Sequence, residues 1–440
     1  MRRAPWLRLG GALLAGSLLL AACGAGDDDD DASSGGTGET TETSGGSEAT
    51  GGGEPETAPG FDGTTIKLGV LTPLTGLVSV IGLPLTAGNE LWFNYLNQEL
   101  GGIAGKYKVE LVTADTEYSP DVAVQEYNKQ KSEVAAFLQV LGTPVTNALL
   151  PQLNRDGKLA SPASLDAEWI QEENLLPLSG PYQIQMINGA DWYVAEGGGE
   201  GKKACALIQD DAYGEAGLEG VNVAAEEQGF EVAVVAKYKA GAPDFTAQIQ
   251  QLVDGKCEVV YGVLLASDTS KALGKAAELS FAPQWILQSP AWLDLFTGTG
   301  LVDYLEKNVL VLAAGPAWKD ETVPGMRDLV ARKEQFGPSE YDGNLYFSYG
   351  YNQGRAMTEV LEKAVELGDL SPEGIIEASN SLGTVSFDGL DGDYTYGPPE
   401  DRDPSRVTSV LKVNRALPFG LEIVEQDYTS DAAESYEFSD

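Results

Sequence analysis

Residues 204–236 read ACALIQDDAYGEAGLEGVNVAAEEQGFEVAVVA. Ala204–Gln209 is a short apolar run of strand length, ended by the acids Asp210 and Asp211. Gly214–Gln228 mixes small, apolar and acidic residues over helix length, and Glu231–Ala236 returns to a strand. A strand, a helix and a second strand in so short a span require the two strands to run parallel. Parallel sheets need cover on both faces, so this stretch predicts a doubly wound α/β lobe.

The same alternation extends in both directions. Downstream, a helix is expected over Phe245–Val253, a strand over Val259–Leu265, a helix over Thr269–Leu279, and strands over Gln284–Leu287 and Val309–Ala313. Upstream, Ile66–Leu71, Val109–Ala114, Ala136–Val140 and Leu159–Ser161 read as strands. Between them lie helices over Leu85–Leu100, Ser119–Ser132 and Thr143–Arg155, the second opened by Ser119-Pro120, an N-cap followed by proline at the first helical position. Helices are expected near Gly325–Phe336 and over Tyr346–Leu367, with a hairpin-like pair at Val407–Val413 and Leu421–Val424. Two βα series imply two similar lobes. Ligands bind such sheets in crevices at the carboxyl ends of the strands, so a cleft is expected between the lobes.

Composition removes several functions. The chain holds 67 acids against 28 Lys plus Arg, for a net charge of −39. Such a surface repels nucleic acid and anionic lipid. There is no histidine, so a Ser-His-Asp triad, a Cys-His pair and a His-ligated zinc site are excluded. No phosphate-binding Gly-rich loop or G-x-S-x-G elbow appears, and neither cofactor nor metal is expected.

The amino terminus carries Arg2, Arg3 and Arg8, an apolar stretch to Ala22, and then Cys23. Basic start, apolar core and small residues at a cleavage point form a secretory signal. A cysteine directly after them resembles the lipobox of bacterial lipoproteins. That resemblance implies cleavage before Cys23, lipidation of its thiol and a chain held at the outer face of the cytoplasmic membrane; the alternative is a plain signal peptide. Residues 24–60 contain no Lys or Arg and almost nothing apolar. Such a composition cannot offset its ordering entropy, so a flexible stalk is expected. Cys205 and Cys257 remain. An even pair in an exported chain suggests a disulfide. Each sits at or just before a strand start, and in a 2-1-3 strand order the first and third strands are neighbours. Two free buried thiols are the alternative.

Ile66–Gly76 followed by Gly82 resembles the opening of type I periplasmic binding proteins, in the Leu/Ile/Val-binding group of ABC-importer receptors. Ser161-Pro162-Ala163-Ser164, Asp210–Gly214, Gly350-Tyr351-Asn352 and Phe387-Asp388-Gly389 match further stretches of that family in order, so the resemblance spans about Thr64 to Gln426. It implies lobe 1 at 62–182 plus 317–390, lobe 2 at 183–316 plus 391–428, a three-segment hinge and an acidic tail at 429–440. It also implies a monomer that closes on a small molecule and docks on membrane permease subunits. The ligand residues it implies are Ser79, Ile81, Gly142, Thr143, Pro144, Ala163, Ser164, Leu165, Tyr213, Leu265, Ala266, Asp268 and Ser289. Thr143 and Ser164 are the hydroxyl donors expected for a ligand carboxylate, at helix starts that favour anions.

The chain departs from the family in its choice of side chains. Leu165 stands where amino-acid binders often have Thr, Ile81 where they have an aromatic, and Leu265-Ala266 where a Tyr is expected. Ser289 stands where an acid pairs the ligand ammonium. A buried ammonium needs that partner, so the expected ligand lacks one unless Asp268, or a group outside these matches, supplies the charge. Asp268 is otherwise a helix-capping residue. Trp169 and Trp292 are pocket walls or core. A sensory receptor of the same fold is the alternative function, an enzyme or a structural lipoprotein more distant ones.

Overall fold

The computed structural model describes residues 53–438, apart from Glu340 and Pro418. Cys23, the signal and most of the stalk lie outside the described residues.

The first half builds a four-stranded parallel sheet. Its strands are β1 (Thr65–Thr72), β2 (Lys108–Asp115), β3 (Ala136–Leu141) and β4 (Ala160–Ala163). Helices α1 (Ser79–Tyr95), α2 (Pro120–Gln130) and α3 (Thr143–Asp156) connect them, and the order is β2-β1-β3-β4. β3 is buried at every position, as a central parallel strand must be. Ser119 caps α2 by accepting from the Val122 N–H. The observed α1 starts six residues before the expected helix and passes into a separate turn of helix at Leu96–Leu100.

Helix α4 (Tyr182–Ala195) then leads into the second sheet. Here β5 (Ala204–Gln209), α5 (Ala212–Gln228), β6 (Val232–Tyr238), α6 (Thr246–Asp254), β7 (Val259–Val263), α7 (Ala266–Glu278) and β8 (Gln284–Leu287) follow in turn. Short α8 (Val302–Asn308) runs directly into β9 (Val309–Ala313). The sheet has the order β6-β5-β7-β8-β9, extended by two later strands. Because β5 and β7 are neighbours in register, Cys205 and Cys257 meet at the amino-terminal ends of these strands and form a disulfide.

The chain returns to the first lobe with α9 (Pro324–Phe336) and α10 (Leu345–Leu367), followed by α11 (Pro372–Ser379) and the small ribbon β10 (Gly383–Val385) and β11 (Tyr394–Tyr396). α10 lies flat on α1. Gly350 makes this approach feasible, since a Cβ there would sit 1.9 Å from the Leu85 carbonyl oxygen. The chain ends in the second sheet with β12 (Thr408–Val413) and β13 (Leu421–Tyr428), both antiparallel to their neighbours, and helix α12 (Asp431–Ser435).

Two expected boundaries differ. Residues 391–406 were expected in lobe 2, but Tyr394 and Tyr396 pack with Phe387 and Leu390 in the first-lobe core. Arg402 fixes this segment by donating to the backbone carbonyls of Ile170, Glu172 and Glu173. The third passage between lobes therefore lies just before β12. The 429–440 stretch was expected as an acidic tail. Instead Ala432 and Ala433 pack on Ile184 and Ile187 of α4, and the Arg406 guanidinium donates to the carbonyls of Ala433 and Tyr436 at 2.7 and 2.9 Å.

Candidate functional site

Both parallel sheets aim their carboxyl ends at one cavity of about 920 Å³, counting open solvent at its mouth. β3 and β4 deliver Gly142, Thr143, Ala163, Ser164 and Leu165 to its wall, α1 delivers Ile81, and the second sheet delivers Tyr213, Leu265 and Ser289. Nine of the expected ligand residues thus converge. Ser79, Pro144, Ala266 and Asp268 do not line it. Asp268 is fully buried elsewhere, accepting from the Gly241 N–H at 2.9 Å and from the Lys271 ammonium at 2.8 Å. It ties a loop to α7, so it is not available to replace the missing acid. Ser79 bonds back to the Gly76 carbonyl in the turn that starts α1.

The start of α3 shows why the local sequence suits a ligand. Gly142 has φ +108°, and a Cβ on it would lie 2.5 Å from the Tyr118 ring. Only glycine allows both the backbone turn and the ring above it. Pro144 lacks an N–H and pre-sets the first turn. The free N–H groups of that turn, together with the helix dipole, favour a negative charge.

Beside that helix start, the Thr143 and Ser164 hydroxyls are 2.6 Å apart and buried. The Trp169 indole N–H donates to the Ser164 oxygen at 3.1 Å. Two hydroxyls share one mutual bond, and the indole occupies one acceptor site. Whichever hydroxyl donates to the other, one hydroxyl hydrogen of the pair is left out of that bond, with the Tyr182 hydroxyl close to Ser164 as well. Trp169 is therefore a support for the site and not a wall of it, and Trp292 is likewise buried in the core.

Sequence reasoning missed the aromatic walls. Tyr118, Tyr182, Tyr346 and Tyr349 line the cavity. They supply the ring surface whose absence at positions 81 and 265 marked a departure. Tyr182 meets Tyr213 edge to face, with centroids 5.0 Å apart. Tyr213 donates to the Leu264 carbonyl at 3.0 Å. Burial pushes the Tyr182, Tyr213 and Tyr346 hydroxyls well above the usual range, so all are neutral donors or acceptors. From α10, Tyr346 donates across to the carbonyls of Pro290 and Trp292, at 3.0 and 2.9 Å. That bridge holds the two lobes together over the cavity.

A second polar cluster was also missed. Asp391 and Ser179 line the cavity together, Ser179 from the first passage between lobes just before α4 and Asp391 from the first-lobe stretch between β10 and β11. Ser179 donates to Asp391 Oδ1 at 3.1 Å, and the Gly392 N–H donates to the same oxygen at 2.9 Å. Asp391 is only 8% exposed, and burial raises its carboxyl to about 7. No local signal singles it out among 67 acids.

A family profile described as "Periplasmic binding protein" matches residues 65–417. No curated protein matches the chain in sequence. Among solved structures, a fatty acid ABC transporter substrate-binding protein from Thermomonospora curvata is similar at TM-score 0.79 and 24% identity, over 88% of this chain and 97% of that one. A branched chain amino acid ABC transporter protein from Thermus thermophilus with bound valine is similar at TM-score 0.73 and 18% identity, over 84% and 98%. A solute binding protein from R. palustris in complex with 4-hydroxybenzoate gives TM-score 0.68 and 16% identity, over 83% and 98%. With the doubly wound sheets and the shared cavity in place, the profile match over most of the chain settles its kinship: it belongs to the periplasmic binding protein family.

Proposed function

We propose that this chain is an exported, lipid-anchored receptor of an ABC importer. It captures a small polar or branched-chain amino-acid-like ligand, closes on it by hinge motion, and delivers it to membrane permease subunits. It acts as a monomer on a stalk that begins at Cys23, and it performs no chemistry on the ligand. The observation that carries this reading is a single cavity walled from both lobes at the carboxyl ends of their strands. The similar proteins of known structure are described with a fatty acid, valine and 4-hydroxybenzoate. All three compounds bear a carboxyl group, which supports an acid as the ligand here. The α3 start and the Thr143–Ser164 pair are the groups that would hold that carboxylate.

The test is ligand affinity of the Thr143→Ala, Ser164→Ala double variant. Removing hydrogen bonds to a charged group should weaken binding of an acid by about 1–3 kcal/mol. Unchanged affinity would place the carboxylate elsewhere.

A further inference from the structure

Resting on the receptor reading above, we propose that Asp391 is a ligand-binding residue that accepts a hydrogen bond from an N–H or O–H group on the bound acid. The ligand would then be a carboxylic acid that also carries a donor (an ammonium, an amide or a hydroxyl) beyond its carboxylate.

Among the described residues, the cavity wall contains one carboxyl group and no Lys or Arg. That carboxyl faces Ser179, the Gly392 N–H, Tyr349 and Tyr396, and none of these carries a positive charge. A buried carboxylate without a counter-charge is costly, and proteins retain few of them without a use. Both hydrogen bonds that it accepts go to Oδ1. Two polar atoms of other cavity-lining residues, Asn352 Oδ1 and Ser348 Oγ, are buried with no hydrogen-bond partner. Ser348 and Asn352 lie four residues apart on α10, hence on one face of it. Asn352 is only 1% exposed, so water in bulk does not satisfy it. An aspartate on the wall, with an amide oxygen and a hydroxyl of two other lining residues still lacking partners, makes this side of the cavity rich in acceptors. The complement of that wall is a ligand donor.

The competing explanation is mechanical, because Asp391 ties the first-lobe segment before β11 to the passage at Ser179. Asp391→Asn separates the two, since the amide oxygen can keep both accepted bonds while the charge is removed. Calorimetric titration of the full-length chain in detergent, wild type and Asp391→Asn, would use acids paired by skeleton: 4-hydroxybenzoate with benzoate, 5-aminopentanoate with pentanoate, and leucine with 4-methylpentanoate. The expected result is at least one pair in which wild type prefers the donor-bearing acid by about tenfold or more, a preference that falls below about threefold in Asp391→Asn with the plain acid unaffected. Equal binding within every pair would overturn the inference and leave the receptor reading standing. Equal weakening of both members by Asp391→Asn would assign the residue to the hinge and overturn it as well. Binding of none of these acids would bring down both the acid reading and this inference. If Asp391→Asn does not fold, Asn352→Leu replaces it. That change should lower the same preference, and an unchanged preference would count against the acceptor wall.

Discussion

Two polar clusters share the cavity, and they are built on different principles. Thr143 and Ser164 bond to one another and to Trp169, so the empty protein leaves them almost satisfied. Asp391 is held by two donors but has no opposite charge near it, so the empty protein carries it at a cost. On the proposed reading, the first cluster is inexpensive and suited to many acids. The second then destabilises the unliganded fold and gains only when a ligand supplies a donor. Specificity of this kind is stored as a local penalty in the unliganded state.

The comparison can be tested in order of effect. The disulfide sets the scale, because it lies away from both clusters. Opening the Cys205–Cys257 link, which spans 52 residues, should cost about 4 kcal/mol by the loop-entropy argument. Chemical denaturation of Cys205→Ala, Cys257→Ala, read with ligand affinity, should show lower stability and unchanged affinity. A large loss of affinity would mean that the amino-terminal end of the second sheet is coupled to the cavity.

Asp391→Asn should act in the opposite direction on stability. Its carboxyl sits at about 7 in the fold against an ordinary 3.8. Below about pH 3.8 the group is neutral in both states and nothing is lost. As pH rises toward 7, the unfolded chain ionises while the fold keeps the proton, so wild-type stability falls; above 7 the penalty is constant. The facing hydroxyls of Tyr349 and Tyr396 are raised by burial and stay neutral throughout. The empty Asp391→Asn variant should therefore exceed wild type by up to about 4 kcal/mol at pH 8, from roughly three pKa units, with the gap closing near pH 4. A gap independent of pH would show that the carboxyl is not the source.

Ser179→Ala removes one donor to Asp391 and should cost about 1 kcal/mol or less at pH 8. It should also raise the carboxyl further, shifting the midpoint of the pH profile upward. The smallest effect expected is none: deleting residues 24–60 should leave affinity unchanged, and a clear loss would place part of the stalk within the binding unit.

Much of the fold was legible because parallel strands advertise themselves as short apolar runs. Ala204–Gln209, Gln284–Leu287 and Val309–Ala313 begin and end where the pattern places them. Helix α4 was not legible. Twelve of its residues are buried, so it shows no polar stripe and no helical periodicity. The α3 start was readable because Gly142-Thr143-Pro144 sets the turn and the helix start in consecutive residues. Tyr118, Tyr346 and Asp391 come from separate segments and meet only in the folded chain. Asp391 in particular acquires its character from burial, which no local pattern records. Ser289, where an acid was expected, and Asp391 both line the cavity but come from different segments of the chain.

The most direct test is a thermal-shift screen of the full-length chain with amino acids, their keto and hydroxy acids, plain acids, aromatic acids and amides, run in parallel on the Thr143→Ala, Ser164→Ala, Asp391→Asn triple variant. A ligand at a hundredfold excess over its Kd should add about 2.7 kcal/mol of stability. The account predicts a clear rise with at least one donor-bearing acid in the wild type and little or none in the triple variant. No rise with any compound, or an equal rise in both proteins, would contradict it.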